Sequence, residues 1–427
     1  MPGHKGLGPM GCESFDITEI SGADSLYAAD GIIAESEQNA SALFDSNTFY
    51  STEGSSHCIR AMLYLAMMAS GSAATVKIAA GRNVHKSFLT AAAMLDVDVE
   101  WLYPQEQVSY LSCRITAPML EKYLGSCGTL PAAVYITSPD YLGNILDISP
   151  LAEVCHRFGV LLLVDNAHGA YLKFLPGCNH PMDQGADLCC DSAHKTLPVL
   201  TGGAYLHIRD EVLAQQAKHA LSLFGSTSPS YLILQSLDAA NAILDDPGYR
   251  KKLGALAHMA DDVRKTLTQH GFSADYGDEP LKITLLPKSF GYTGTEIASI
   301  LRASNIECEF SDPDHLVMML STGNTVEDLQ KLTTELTAIP RRDAIMDPAP
   351  LVGKPEKVLS IRQALFSPSE WIPAVHSAGR ILAAASVGCP PAVPVVVGGE
   401  RIDQQAVHCF DYYGITYCRV VCDPSKL

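Results

Sequence analysis

The sequence predicts an α/β protein whose main sheet is mostly parallel, and three observations lead to that class. Between about residues 40 and 210, short apolar runs rich in strand-forming residues alternate with longer stretches of helical periodicity, the pattern of parallel strands joined by crossover helices. Most of these runs lead directly into polar or glycine-containing turns. The 427 residues exceed the roughly 150 residues of an average domain, so we expect two or three domains.

Six apolar runs are the candidate strands of this sheet. In chain order they are Val76–Ala80, Val99–Leu102, Ala133–Thr137, Val160–Asp165, Leu188–Asp191 and Ala204–Ile208. Ligands of such sheets gather at the carboxyl ends of the strands. The side chains of first interest are therefore those on the loops that follow the runs, namely His85, Ser138, Asp165 and Lys195.

A glycine-serine turn precedes one of the helical stretches. Glu53-Gly54-Ser55 leads into helical spacing over Ser56–Ala69. The first backbone N–H groups and the dipole of such a helix would point toward an anion. An ordinary helix cap explains the same turn, and both interpretations stay open at this point.

The pattern of the chain changes near Pro280. A compact β-α-β-β-α unit follows, with the segments Lys282–Leu286, Thr295–Ala303, Glu307–Phe310, Leu316–Leu320 and Thr325–Thr337. We expect an N-terminal segment over 1–39, a large domain over 40–279, a small α+β domain over 280–340, a charged, proline-rich linker over 341–355 and a C-terminal α/β domain over 356–427.

Charge and cysteine usage exclude several classes of protein. The formal net charge of -17 disfavours binding to nucleic acid or anionic lipid. The 13 cysteines form no CxxC pair, which is typical of reduced thiols in a cytosol, and we predict no metal site. The first residues lack a signal peptide's apolar stretch, and the early run from Ala61 to Ala74 is shorter than the ~20 residues of a membrane span. We therefore predict a cytoplasmic protein.

Two charged residues follow buried runs thirty residues apart. Asp165 ends the run Leu161–Val164, where a carboxylate is either capped by the next turn or meets a positive ligand group. Lys195 follows Leu188–Asp191. It is either a surface charge or a desolvated amine that attacks an aldehyde.

Donors suited to a phosphate lie beside this lysine. Ser192 and His194 flank Lys195, and the Gly54-Ser55-Ser56 turn offers a helix start for the same group. His85, after the first predicted strand, could stack on a planar ring, although a structural histidine is the ordinary alternative.

Taken together, these motifs resemble those of one protein family. The motifs are Pro2-Gly3-His4-Lys5-Gly6, Asp165-Asn166-Ala167-His168-Gly169-Ala170, Ser192-Ala193-His194-Lys195-Thr196-Leu197-Pro198, Thr227-Ser228-Pro229-Ser230-Tyr231 and Pro390-Pro391-Ala392-Val393-Pro394. Their order resembles the bacterial ornithine/lysine/arginine decarboxylase family in its short form. The resemblance covers nearly the whole chain, since Gly291-Tyr292-Thr293-Gly294 and Thr322-Gly323-Asn324-Thr325 extend it.

The resemblance implies the aspartate-aminotransferase fold of pyridoxal-phosphate transferases and a cofactor site. Lys195 would hold pyridoxal phosphate as a Schiff base, and Asp165 would pair with the pyridine nitrogen, which makes the ring an electron sink. His85 would stack on one ring face and Ala167 on the other. The remaining cofactor contacts would be Gly54, Ser55, Ser56, His168, Ser192 and His194. Thr227 or Ser228 would complete the site of the neighbouring subunit.

The implied reaction is decarboxylation of a basic amino acid, giving carbon dioxide and an amine for polyamine biosynthesis. Arginine is favoured, and lysine and ornithine are possible. The candidate partners for the distal cation are Asp16, Glu19, Asp24, Glu309, Asp312 and Glu400. The resemblance further implies a homodimer or a higher oligomer, with the N-terminal segment contributing to the dimer and the active site.

The chain departs from the family's usual pattern at a few positions. Asn166 replaces a glutamate after the ring aspartate, His57 replaces a small or amide residue, and Gly202-Gly203 replaces Thr-Gln. The segment Val375-His376-Ser377-Ala378 lacks a glutamate, which puts substrate contacts from the last domain in doubt. An aminotransferase or lyase of the same fold and a silent regulatory homologue are therefore the alternatives.

Overall fold

The computed structural model describes residues 1, 3–71, 75–106, 109–177, 180–351, 353–385 and 392–422. Pro2, Pro390 and Pro391, which belong to two of the motifs, lie outside the described residues. The chain forms two compact units. The first comprises Met1–Ala79, Thr116–Ser138 and Asp147–Gly254, and the second comprises Ala80–Ile115, Pro139–Leu146 and Ala255–Leu427.

Strands and helices alternate through the first half of the described chain. The strands are β1 Asn47–Ser51, β2 Lys77–Gly81, β3 Asp98–Leu102, β4 Ala133–Thr137, β5 Leu161–Asp165, β6 Leu188–Asp191, β7 Ala204–Ile208, β8 Ser273–Tyr276, β9 Lys282–Leu286, β10 Phe310–Ser311, β11 Leu316–Met319, β12 Ser369–Pro373 and β13 Tyr417–Val421. The helices are α1 Ile32–Phe44, α2 Ser55–Ala69, α3 Lys86–Leu95, α4 Ala117–Ser126, α5 Ile148–Arg157, α6 Ala193–Thr196, α7 Glu211–Ala214, α8 Ala217–Ser222, α9 Tyr231–Asp245, α10 Pro247–His270, α11 Gly294–Ala303, α12 Val326–Thr337, α13 Ile361–Phe366 and α14 Gln404–Tyr412. Short 3-10 turns cover Leu26–Ala28, Ala170–Phe174, Pro287–Phe290 and Ala374–His376.

The main sheet has seven strands in the order β1-β7-β6-β5-β4-β2-β3. Strand β5 pairs parallel with β4 and with β6, while β7 pairs antiparallel with β6 and β1 antiparallel with β7. All six predicted strands are present, three with the expected bounds and three shifted by one residue. Strand β1 was not predicted because Asn47, Thr48 and Ser51 break the apolar run that marks the other strands.

The smaller sheet of the second unit contains β10, β11, β9 and β8 in that order. Capping boxes at Thr293 and Thr325 begin its two predicted helices. The predicted strand Glu307–Phe310 is wrong except for its last residue, since only Phe310–Ser311 pairs with β11. Glu307 is instead exposed in an ion pair with Arg302 at 2.7 Å.

The last part of the second unit packs around an antiparallel pair, β12 and β13. Leu382, Val396, Ile402, Phe410 and Val420 form the buried core there. The domain limits expected from the sequence stay a prediction. Among the described residues, no helix combines the length and hydrophobicity that crossing a bilayer requires.

Candidate active site

Asp165 lies at the carboxyl end of β5 and is almost completely buried. The Tyr135 hydroxyl of β4 donates to Oδ2 at 3.0 Å, and the Ala167 N–H donates to Oδ1 at 3.2 Å. The Cys190 thiol is 3.7 Å from Oδ1. Burial raises the pKa of Asp165, whereas the Tyr135 hydrogen bond and the charge of Lys195 act in the opposite direction. A cationic group at this carboxylate would relieve its desolvation.

Lys195 lies on the single turn α6, directly after β6. Its Nζ is 3.1 Å from Nε2 of His168, a buried residue in the loop after β5. Because the lysine is only partly accessible and has an imidazole beside it, a proton can pass between the two nitrogens. Such a transfer would leave Lys195 as the uncharged amine that a nucleophile requires.

The amino end of α2 faces the same loop region. Its N-cap, Gly54, has φ 72° and ψ 177°, a conformation open to glycine and strained for other residues. The Ser192 hydroxyl donates to Ser55 Oγ at 2.7 Å, which brings two hydroxyls together at the start of a 15-residue helix. Such an end binds anions through backbone N–H groups and the helix dipole.

His194 borders this helix end. Its Nδ1 is 3.0 Å from the carbonyl oxygen of Gly203, so Nδ1 must donate. Burial lowers the pKa of His194, which favours the neutral ring. Its Cε1 lies 4.0 Å from where a Cβ on Gly54 would stand.

A family model described as "Orn/Lys/Arg decarboxylase, major domain" matches residues 12–276, which is more than half of the chain. The chain belongs to the Orn/Lys/Arg decarboxylase family. This match confirms the resemblance that the motifs indicate.

Two family relatives align along almost the whole chain. The "Arginine decarboxylase" of Bacillus subtilis (strain 168) is 30% identical over 441 residues, which cover 95% of this chain and 88% of the relative. The "Arginine decarboxylase" of Halalkalibacterium halodurans is 29% identical over 436 residues, covering 95% and 87%.

The fold also matches a solved structure of the family. The Francisella novicida lysine decarboxylase superposes with a TM-score of 0.80 at 19% identity, covering 99% of this chain and 78% of that one. The predicted fold class, that of the aspartate-aminotransferase-like pyridoxal-phosphate enzymes, is confirmed.

The residues of this family member fit pyridoxal phosphate by the chemistry of their donors. A buried carboxylate suits a cationic ring nitrogen, a lysine beside a histidine suits an aldehyde, and a helix start with two hydroxyls suits a phosphate. Asp165, Lys195 and Ser55 supply these groups, all within the first compact unit. Their roles toward a cofactor remain predictions.

Other predicted cofactor contacts are placed as follows. His85 is the N-cap of α3 in the second unit, where its Nδ1 accepts from the Ser87 N–H at 3.2 Å. Ala167 is half-buried and follows the ring aspartate by two residues. Thr227 and Ser228 are exposed in the segment between α8 and α9. Stacking and cross-subunit contacts by these residues stay predictions.

Three of the predicted substrate carboxylates have structural partners. Asp24 accepts hydrogen bonds from the backbone N–H groups of Ser25, Asp30, Gly31, Ile33 and Ala34. Glu400 is buried in an ion pair with Arg82 at 2.8 Å. Asp312 lies 3.1 Å from His315 Nδ1. These bonds orient the three carboxylates within the chain.

The other three acids lie nearer to solvent. Asp16 is 3.2 Å from His4 Nε2, Glu19 accepts from the Thr18 hydroxyl at 2.6 Å, and Glu309 is partly exposed. Binding of the substrate's distal cation by any of the six remains a prediction.

The departures from the family pattern have local explanations. The Asn166 amide donates to the Asp191 carboxylate at 2.6 Å. His57 is buried, with Nε2 2.7 Å from the Leu221 carbonyl and Nδ1 2.9 Å from Ser51 Oγ. Gly202 has φ 99°, and a Cβ there would lie 2.7 Å from the Thr52 carbonyl oxygen.

Sequence reasoning missed Tyr135 and Cys190, which both contact Asp165. Each lies on a neighbouring strand, so its contact depends on strand order and register. The one available signal was that Tyr135 is the only aromatic residue inside the predicted strand Ala133–Thr137.

Proposed function

We propose that this chain is a pyridoxal-phosphate-dependent decarboxylase of a basic L-amino acid, with arginine as the favoured substrate and lysine or ornithine as possible ones. The observation that carries the proposal is the buried Asp165 beside the Lys195–His168 pair. The family relatives named arginine decarboxylase, at 29% and 30% identity, support the reaction and the preferred substrate.

Five groups of the first unit would hold the cofactor. The start of α2 with Ser55 and Ser192 would take the phosphate, Asp165 would hold a proton at the ring nitrogen, and Lys195 would carry the covalent link. The bound cofactor supplies an electron sink for the pair left by departing carbon dioxide. Gly54 keeps the helix start open to the phosphate because it has no side chain.

Asp165 acts through its charge. Its carboxylate is desolvated and held by Tyr135 and the Ala167 N–H, so it is oriented before any ligand arrives. A fixed carboxylate that faces positive charge in a water-poor site stabilises that charge more strongly than water does.

His168 and Lys195 act on protons. His168 Nε2 takes a proton from Lys195 Nζ across 3.1 Å, which leaves the amine uncharged and nucleophilic. After carbon dioxide leaves, His168 would pass this proton back to Lys195 Nζ, which would deliver it to the α-carbon. General acid-base steps of this kind contribute about 10²- to 10⁴-fold in rate.

We also propose a cytoplasmic homodimer with shared sites that supplies an amine for polyamine synthesis. Exposure of Thr227 and Ser228 supports the sharing, because these two residues are accessible to a second subunit. The eleven described cysteines are all free thiols, which supports a reducing compartment.

One experiment tests the proposed reaction. The purified chain is loaded with pyridoxal phosphate, and carbon dioxide and amine release are measured from arginine, lysine and ornithine. We expect release from at least one substrate and none from Lys195→Ala. Cofactor binding without carbon dioxide release from any of the three would contradict the proposal and favour the aminotransferase or the silent homologue.

A further inference from the structure

A side-chain bond joins the two strand ends that carry Asp165 and the Lys195 loop. The parallel pairing of β5 and β6 ends at Asp165 and Cys190, and the Asn166 N–H donates to the Cys190 carbonyl at 3.0 Å. One residue further, Asn166 Nδ2 donates to Asp191 Oδ1 at 2.6 Å. Both side chains are completely buried, so water cannot replace this bond.

The second oxygen of Asp191 is held from the other side. His180 Nε2 and His207 Nε2 lie 3.1 and 3.2 Å from Oδ2. The Met182 N–H donates to His180 Nδ1, so Nε2 of His180 carries a proton and donates to Asp191. His207 Nδ1 is 2.9 Å from the Thr48 hydroxyl, which can donate to it in the same way.

These donors keep Asp191 charged. Burial by itself would raise the pKa of Asp191, but His180 and His207 hold it well below its usual range. The three side chains could also form a metal-binding donor set. However, in each ring the Nε2 atom that faces Asp191 is engaged as a donor, so a hydrogen-bonded carboxylate accounts for the geometry.

We infer that Asn166 and Asp191 form a positioning clip, which fixes the Lys195 loop relative to the Asp165 strand end. Asn166 directly follows Asp165, and Asp191 precedes Lys195 by four residues. Because β7 carries His207, the clip is anchored to a third strand. The inference deepens the proposed function and relies on it only for the identity of the bound cofactor.

The geometry provides a charge-preserving test. In Asn166→Asp, two carboxylates face each other. In Asp191→Asn, the side-chain oxygen of residue 191 still accepts from the two histidines, so its NH₂ group faces the NH₂ group of Asn166. In the exchanged double variant, Asn166→Asp with Asp191→Asn, the amide of residue 191 donates to residue 166 and its oxygen still accepts from both histidines. The single variants therefore break the clip and the double variant restores it.

Amide hydrogen exchange of the full chain without cofactor measures the clip directly. We expect each single variant to exchange about 10- to 100-fold faster over 165–169 and 192–197, the effect of one hydrogen bond to a charged group. The double variant should return to within about threefold of the wild type, since hydrogen bonds of coupled residues are non-additive.

A matched control uses another buried asparagine of the first unit. Asn241 donates to the Tyr50 hydroxyl at 2.8 Å and to the Ser36 carbonyl at 3.1 Å, away from the strand ends at issue. Asn241→Asp should leave exchange over 165–169 and 192–197 unchanged even where it lowers the melting temperature.

The release rate of pyridoxal phosphate from the loaded chain provides a second readout. We expect faster release from each single variant and a rate near that of the wild type from the double variant. Unchanged exchange in both single variants, or a double variant that exchanges as fast as the singles, would overturn the inference. If the single variants do not fold, a double variant with wild-type exchange supports the clip and an unfolded one refutes it. A wild type that binds no cofactor would contradict the proposed function, while hydrogen exchange would still decide on the clip.

Discussion

At the scale of single residues, the chemistry depends on a buried carboxylate at the end of β5 and a half-buried amine on the turn after β6. Asp165 is desolvated and oriented by Tyr135, and Lys195 has His168 within 3.1 Å. Burial strengthens the electrostatic effect of the Asp165 carboxylate because few water molecules screen it. The carboxylate and the amine therefore have properties that neither would have at the surface.

Replacement of Asp165 by asparagine tests the electrostatic role. The asparagine amide has the same shape as the carboxylate, and its oxygen can still accept the hydrogen bond from the Tyr135 hydroxyl. It has no negative charge, however, to stabilise a protonated ring nitrogen of the cofactor. We expect kcat to fall by about 10²- to 10³-fold, the magnitude of losing one preorganised electrostatic contact, with the covalent link to Lys195 retained. The measurement is the steady-state rate of carbon dioxide release.

Tyr135→Phe is the control for this variant. It removes one hydroxyl donor and leaves the charge in place, so we expect a loss of about tenfold, at the lower limit for one hydrogen bond to a charged group. Equal losses in the two variants would contradict a role for the charge of Asp165.

The sequence predicted some site residues and not others for a physical reason. Asp165 and Lys195 were predicted because the first ends an apolar run, the second follows one, and both belong to recognisable motifs. Tyr135 and Asp191 were missed as partners, since their contacts depend on which strands are neighbours and in which register. No local pattern in a single strand contains that information.

At the scale of elements, the start of α2 is the clearest functional feature. Gly54 bends the chain so that Ser55 begins the helix beside Ser192. His57 then fixes the first turn of α2 by contacting β1 through Ser51 and α8 through Leu221. The helix start is thus held by the neighbours of α2 as well as by its own hydrogen bonds.

Gly54→Ala tests the helix start. The added Cβ has space, with only His194 near it at 4.0 Å, but its φ of 72° with ψ of 177° costs an alanine about 1 to 3 kcal/mol. We expect a lower free energy of unfolding in urea and weaker binding of pyridoxal phosphate, with little change in binding of pyridoxal.

Gly71→Ala is the matched control for Gly54→Ala. Gly71 also has positive φ, at 60°, and no atom would meet its Cβ, but it follows the other end of α2. It should destabilise the fold without changing cofactor affinity. If Gly54→Ala weakened the binding of pyridoxal phosphate and of pyridoxal equally, the result would argue against a phosphate site at the start of α2.

The pH dependence of stability follows from the buried His57. Burial lowers the pKa of His57, whereas the unfolded chain titrates at about 6.5. The unfolded state binds more protons below that pH, so the stabilising effect is complete above about 6.5 and is lost as the pH falls. The measurement is the free energy of unfolding in urea at several pH values from about 7.5 to about 5, which span the histidine pKa of the unfolded chain.

His57→Gln should lower the slope of unfolding free energy against pH by at most about 1.4 kcal/mol per unit, the value for one proton. An exposed histidine, His156, provides the control, because its side chain is 45% accessible. A slope that is the same in His57→Gln and in the wild type would contradict the buried neutral state of His57.

At the scale of the whole molecule, the chain forms two compact units, while the domain limits expected from the sequence stay a prediction. Both units are built from separate stretches, since 80–115 and 139–146 belong with 255–427. Local composition marks the change near residue 280 but cannot show that earlier stretches join the same unit. The fold class depends on periodicity and was predictable, whereas the grouping of stretches depends on tertiary contacts.

The proposed shared site makes a prediction about assembly. Lys195→Ala and the double variant Thr227→Ala with Ser228→Ala should each be weakly active or inactive alone. When the two are mixed, dissociated and reassociated, hybrid dimers contain one site with both intact parts, so we expect activity to return. Persistent inactivity, with hybrid formation verified by mass spectrometry, would contradict sharing between subunits.

The central claim is that Lys195 is the covalent anchor of the cofactor. The most direct test is to load the full chain with pyridoxal phosphate, reduce it with borohydride, and locate the modified peptide by mass spectrometry. We expect a single stable label on Lys195, absent from Lys195→Ala and present in Asp165→Asn. A label on another lysine, or no label in a folded wild type, would contradict the account.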